Sequence, residues 1–372
     1  MALPSGAGVT LYVLVLVMGA VGALGLQRNE FVSSEVEIDY KQYVSALVIF
    51  GDSTVDCGNN NYLTTVVKSN FQPYGRKFEA GVATGRFCDG KIAVDYLTER
   101  IGYPLGPPYL APNAHGDAIL SGINFASSAS GWDDNTAKHF NVKGLTTQFS
   151  WFKNWKNEVV SLVGQEKGNY IVGKALYVIS TGSNDWVNNY YINLELMNKY
   201  STDTYTTFLI DLVGSYVKEL YDSGGRNIVV LGLPPLGCLP SQISLHGKGK
   251  PGCVEEMNNV AVKFNQLLEA KFNSLKPNLH GGRLIYIDIF NPLFSYVNDA
   301  QQYGFNVTRT GCCGTGDLET AILCNMASVG TCKDAYSYVW WDSFHPTTHA
   351  YSLLADNLWN QAVPQILAPE LP

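Results

Sequence analysis

The chain has 372 residues, 46% hydrophobic and only 15% charged, with a net charge of −7. The apolar content excludes global disorder, 36 glycines and 16 prolines exclude a collagen-like or low-complexity chain, and an acidic chain without a basic run makes a poor nucleic-acid binder. No solenoid or propeller repeat is visible, and length alone allows two domains or one large one.

The first 25 residues carry no charged side chain, and residues 11–26 are an unbroken run of apolar residues and glycine. That run is short for a membrane span and suits a signal-peptide core. Ala23-Leu24-Gly25 offers a small-x-small site, so cleavage is expected after Gly25. No Lys or Arg precedes the run, which leaves an uncleaved anchor as the alternative. The expected layout is a signal peptide over 1–25, an N-terminal arm over 26–44 and one domain over 45–365, with no membrane insertion after cleavage.

Within that domain, short aliphatic runs predict strands over 46–50, 122–126, 175–180, 227–231 and 283–288. Amphipathic helices are expected over 91–101, 204–222 and 254–275; in the last, Val260, Phe264, Leu267, Leu268 and Phe272 recur at helical spacing. Alternating strands and helices imply an α/β fold whose parallel sheet is covered on both faces. Ligands of such sheets bind beyond the carboxyl ends of the strands.

Three fragments stand at such strands, Gly51-Asp52-Ser53-Thr54, the Gly122 to Ser128 segment and Gly182-Ser183-Asn184-Asp185, and a fourth, Asp342-Ser343-Phe344-His345-Pro346, follows Trp340-Trp341 near the C-terminus. Together they suit acyl transfer. Ser53, on a turn between strand and helix, is the expected nucleophile and His345 the base that takes its proton. Asp342, three residues earlier, fixes the imidazole tautomer. The oxyanion donors are expected to be the Ser53 and Gly122 backbone N–H groups and the Asn184 amide. Asp52 reads as a helix N-cap, Asp185 as a loop-orienting residue, and Pro346 as the first position of a following helix.

The remaining features carry plainer readings. His345 and His349 stand four apart but lack a third ligand, so no metal or other cofactor is expected, and His349 should be exposed. Gly247 to Gly252 matches a glycine-rich nucleotide pattern but follows no strand and contains proline. Trp132, Trp151, Trp155 and Trp186 read as packing residues rather than a substrate groove. Cys238 and Cys253 flank one loop and are expected to close it, while Cys312, Cys313, Cys324 and Cys332 crowd one segment whose pairing stays open. Asn306-Val307-Thr308 is an N-glycosylation acceptor at Asn306.

The same blocks resemble the plant GDSL esterase/lipase family of the SGNH hydrolase superfamily. The carrying residues are Phe50-Gly51-Asp52-Ser53, Asp56 with Gly58-Asn59-Asn60-Asn61-Tyr62, Pro73-Tyr74-Gly75 and Thr84-Gly85-Arg86-Phe87. They continue with Gly122-Ile123-Asn124-Phe125-Ala126-Ser127, Gly182-Ser183-Asn184-Asp185, Gly232 to Cys238, and Asp342 to Thr347. The resemblance implies a three-layer α/β/α, flavodoxin-like fold, with Ser53, His345 and Asp342 as triad and Gly122 and Asn184 in the oxyanion hole. It departs at Thr54, where leucine is usual, and at Cys57, which with Cys88 makes an extra disulfide conceivable. The expected protein is a secreted esterase or lipase of the plant apoplast or cell wall, acting on a small-molecule or lipid ester. An acyltransferase using the same triad and a catalytically silent cell-wall protein are the alternatives. The ester and the oligomeric state are not readable.

Overall fold

The computed structural model describes residues 38–368 apart from 328 and 329. The expected signal peptide and most of the N-terminal arm lie outside the described residues.

Five strands form one parallel sheet: Leu47–Gly51 (β1), Gly122–Asn124 (β2), Leu176–Ser180 (β3), Asn227–Leu231 (β4) and Arg283–Ile287 (β5). Their order, β2-β1-β3-β4-β5, is the flavodoxin-like one, with its switch point between β1 and β3. β1, β3 and β4 are buried at every position, which is why they read as continuous apolar runs rather than alternating ones. Each expected strand is present, with ends moved by at most two residues.

The helices in chain order are Ala93–Ile101 (α1), Asp134–Lys138 (α2), Leu145–Val163 (α3), Gln165–Lys174 (α4), Ser183–Val187 (α5), Leu194–Lys199 (α6), Thr202–Asp222 (α7), Pro240–His246 (α8), Glu255–Leu275 (α9), Phe290–Asn298 (α10) and Thr348–Leu367 (α11). α3, α7 and α9 cover one face of the sheet, where Phe149 and Phe152 of α3 pack on Phe50 at 4.8 and 5.9 Å. α1 and α11 pack together on the other face. The result is the three-layer α/β/α arrangement. A short parallel pair, Val307–Gly311 (β6) and Tyr338–Trp340 (β7), leads into the segment that carries His345.

Local chemistry sets the helix starts. In α1 the Asp95 carboxylate accepts the Ile92 N–H at 2.9 Å, and in α11 the Thr347 hydroxyl accepts the Ala350 N–H at 3.3 Å. The α11 cap corrects one expectation. Thr347 is the N-cap, so Pro346 lies before the helix and bridges back to Trp340 instead.

Disulfides join Cys238–Cys253, Cys312–Cys332 and Cys313–Cys324. The first closes the loop holding the glycine-rich decoy, as expected. Cys57 and Cys88 do not bridge; both are buried free thiols, Cys57 donating to Gly106 O and Cys88 to Lys91 O.

Candidate active site

Gly51 ends β1 with φ +140°, and a Cβ there would fall 2.0 Å from Ser180 O. Only glycine permits this approach of β1 to β3 and the turn that follows. Gln148 of α3 clamps both of its backbone groups, accepting Gly51 N–H at 2.9 Å and donating to Gly51 O at 3.0 Å. Ser53 emerges at the switch point, where ligands of such sheets bind.

No helix follows Ser53 directly. Asp52 instead caps the turn, its Oδ1 accepting the Thr54 N–H at 3.0 Å and the Thr54 hydroxyl at 2.8 Å. The departure from leucine at Thr54 is thereby put to use. Burial pushes the Asp52 pKa up to about 6, against the hydrogen bonds from Thr54 that lower it.

Three expected residues come together. Ser53 Oγ lies 2.7 Å from His345 Nε2, and His345 Nδ1 lies 2.8 and 2.9 Å from the two Asp342 oxygens. Asp342 Oδ1 also accepts the Phe344 and His345 N–H groups at 2.9 and 2.8 Å. Its Oδ2 accepts the Tyr74 hydroxyl at 2.8 Å and the Thr320 hydroxyl at 3.0 Å. Burial by itself would raise the Asp342 pKa; the neighbouring His345 charge and these donors outweigh it and hold the carboxyl below its ordinary value. With Nδ1 donating to a carboxylate, Nε2 is left as the acceptor facing the serine. Phe87 packs on the imidazole, ring centres 4.9 Å apart.

Asn184, the second residue of α5, joins the same pocket. Its amide nitrogen donates to Ser130 O at 2.9 Å and stands 3.4 Å from Asp52 Oδ2; its oxygen accepts from Asn188 Nδ2 at 2.6 Å. The Asn188 bond fixes which way the amide faces.

Gly122 does not join them. It pairs with Leu47 at the amino end of β1, whereas Ser53 lies beyond the carboxyl end of that strand, and a Cβ on Gly122 would press on Leu47 O. Its glycine serves close strand approach and not the pocket. The residue of this segment that lines the pocket is Ala129, with φ +67°, an uncommon value for a residue with a Cβ. Neither Ala129 N–H nor Ser53 N–H has an acceptor among the described residues.

A buried polar network holds the Ala129 loop. Asp56 accepts the N–H groups of Gly58, Asn59 and Ser128 and the Ser128 hydroxyl; Asn59 Nδ2 donates to Asn124 O and Ala126 O, and Asn60 Nδ2 to Ser128 O. Asp185 does orient a loop, accepting Trp132 N–H, Asp133 N–H and the Thr136 hydroxyl, and burial pushes its pKa up to about 7. His349 is half-buried rather than exposed, stacked on Tyr336 with Nδ1 2.8 Å from Tyr336 O. Trp132, Trp155 and Trp186 are fully buried packing residues, and none of the four tryptophans lines the pocket; Trp340 does.

A family model described as GDSL-like Lipase/Acylhydrolase matches residues 47–358. The chain belongs to this family. A GDSL esterase/lipase of Arabidopsis thaliana is 46% identical over 326 residues, 87% of this chain and 92% of that one. The GDSL esterase/lipase APG of the same plant is 42% identical over 330 residues, 88% of this chain and 94% of that one. An acetylxylan esterase from Geobacillus stearothermophilus overlays loosely, with TM-score 0.37 and 15% identity over 88% of this chain and 96% of that one. Membership of the GDSL lipase/acylhydrolase family makes the chain a carboxylic ester hydrolase. Its pocket has a volume of about 410 Å³, within the usual range for small-molecule sites. No helix among the described residues is long and apolar enough to cross a membrane.

Proposed function

We propose that this GDSL-like hydrolase is a secreted serine esterase that cleaves carboxylic esters through an acyl-Ser53 intermediate. The observation that carries this is the continuous relay from Ser53 Oγ through His345 to a buried Asp342. His345 Nε2 takes the serine proton as Oγ attacks the ester carbonyl, then returns it to the departing alcohol. Asp342 keeps Nδ1 protonated and balances the imidazolium. Water, activated by the same imidazole, releases the acid and restores Ser53.

The tetrahedral oxyanion is met by Ser53 N–H, by the Asn184 amide and, in place of Gly122, by Ala129 N–H. The Ala129 assignment rests on its place in the pocket and its unclaimed donor. Secretion is supported by three disulfides, which persist in oxidising compartments, and by an exposed Asn306 within its acceptor triplet. Under this reading residues 1–25 are removed as a signal peptide, residues 45–365 form the single catalytic domain, and the mature protein resides in the apoplast or cell wall.

Pre-steady-state hydrolysis of a p-nitrophenyl ester tests the intermediate. A burst of nitrophenol equal to the enzyme present, absent in Ser53→Ala, is the expected result. A burst that persists in Ser53→Ala would refute the nucleophile.

A further inference from the structure

The pocket at Ser53 has a polar group of lining residues around the nucleophile, including Asp52, Ser53, Thr181, Asn184 and His345, and Tyr351 of α11 adds a hydroxyl on the helical side. The rest of its lining beneath α1 and α11 is aliphatic. Val94 from α1, Leu293 from α10, Leu354 and Leu358 from α11 and Leu231 from β4 line it, with no charged side chain among them. It therefore leads from the carboxyl end of the sheet in beneath α1 and α11.

A second cavity continues along the same face. It holds about 40 Å³ and exposes no polar surface. Val178, Val229 and Ile287 form its floor, two-residue spacing placing Val229 on the same face as Leu231. Tyr40, Val44 and Trp359 border it, Tyr40 edge-on to Trp359 at 4.7 Å. Leu231 and Leu358 line both cavities, so these two side chains are the partition between them.

Interiors pack to crystal-like density and hold few voids larger than a water molecule. Two apolar spaces end to end are not explained by fold stability. An apolar cavity also stays dry, so water does not fill it in place of ligand. A largely aliphatic space that begins at the nucleophile suits an unbranched hydrocarbon chain with its carbonyl at Ser53.

We infer that the site takes a medium-to-long straight-chain acyl group, laid along the sheet beneath α1 and α11, and that Leu231 and Leu358 set the length of chain it accepts. This rests on Ser53 as the nucleophile and adds the substrate class. Sugar acetates and other short acyl groups would leave most of the aliphatic lining uncovered and gain nothing from it. Trimming the partition joins the two cavities and admits a longer chain. Filling the space at Ala93 of α1, which lines the pocket beside Val94, shortens the chain it admits.

The test is kcat/KM of the mature protein on p-nitrophenyl acetate, butyrate, octanoate, laurate and palmitate, read as ratios between esters so that losses of active protein cancel. For the wild type, octanoate should exceed acetate by about tenfold or more, the scale of added methylenes in an apolar pocket. Leu358→Ala should raise the palmitate-to-octanoate ratio at least about threefold, and Ala93→Phe should lower the octanoate-to-acetate ratio by about tenfold. Ala93→Phe fills a void and leaves the core contacts of Leu358 in place, so it reports even where Leu358→Ala does not fold. A flat or acetate-favouring wild-type profile, or ratios unmoved in both variants, with Ser53 still labelled by a fluorophosphonate, would overturn this inference alone. Absence of Ser53 labelling would overturn the nucleophile and this inference with it.

Discussion

The Tyr74 hydroxyl donates to Asp342 Oδ2 at 2.8 Å, joining two residues 268 positions apart in the chain. The Tyr74 hydroxyl oxygen in turn accepts the Ala321 N–H at 2.9 Å, so Tyr74 ties Asp342 to the Cys313–Cys324 loop. Burial and the facing carboxylate hold its phenol protonated, well above the ordinary tyrosine range. Tyr74→Phe removes the donor from Asp342 and strands the Ala321 N–H. The expected result is a fall in kcat of about tenfold with little change in KM, and a stability loss of about 1–3 kcal/mol, seen in ester hydrolysis and urea denaturation.

Under the proposed mechanism, Asn188 acts on the oxyanion through Asn184. Its amide donates at 2.6 Å to Asn184 Oδ1, leaving Nδ2 as the end that faces Ser130 O and Asp52. Asn188→Ala should lower kcat by about tenfold while KM stays close to wild type, because the donor matters more in the transition state than in binding. A change confined to KM would show that Asn188 binds substrate rather than aligns the amide.

The buried Asp52 makes stability depend on pH with a definite sign. Its folded pKa, about 6, lies above the ordinary 3.8, so between those values the folded state holds a proton that the unfolded state has released. That contribution is present at the acid end and is lost as pH rises through about 6; its upper limit is about 3 kcal/mol. Asp185, pushed to about 7, adds in the same direction. Asp342 works oppositely: its contribution is present above 3.8 and lost only as pH falls through its depressed value. Thermal melting from pH 5 to 8 should therefore show a falling Tm, and Asp52→Asn should flatten the slope near pH 6.

Arg86 and Asp95 form a buried two-pronged pair, Nε to Oδ2 at 2.8 Å and a terminal nitrogen to Oδ1 at 2.7 Å. Asp95 also caps α1. Arg86→Met leaves that carboxylate charged and unmatched, and urea denaturation should show a loss of about 3–5 kcal/mol. Its size would separate a structural part for this motif from a catalytic one.

The sheet was legible because buried parallel strands are continuous apolar runs, and Asn227–Leu231 lies where the run predicts it. Ser53 and Asn184 were legible because each follows a strand in a short polar fragment, and Asp342 and His345 because they stand three apart in one such fragment. Gly122 misled because glycine's open approach was read as a donor site, although the first residue of a strand stands at the end away from the nucleophile, as its register with Leu47 shows. Ala129 left no signal, since alanine has no polar group and its positive φ is imposed by the loop around it. Tyr74 and Thr320 act through contacts set by tertiary folding, whereas Asn188 meets Asn184 one helical turn away. Tyr74 stood in a motif carried by the resemblance, but nothing local tied its hydroxyl to Asp342.

Mass spectrometry of the purified mature protein after reaction with a fluorophosphonate tests the central claim most directly. The prediction is one phosphonyl adduct per chain, on the peptide containing Ser53, absent in Ser53→Ala and strongly slowed in His345→Ala. An adduct on another residue, or equal labelling of Ser53→Ala, would contradict the assignment of Ser53, His345 and Asp342 as the catalytic relay.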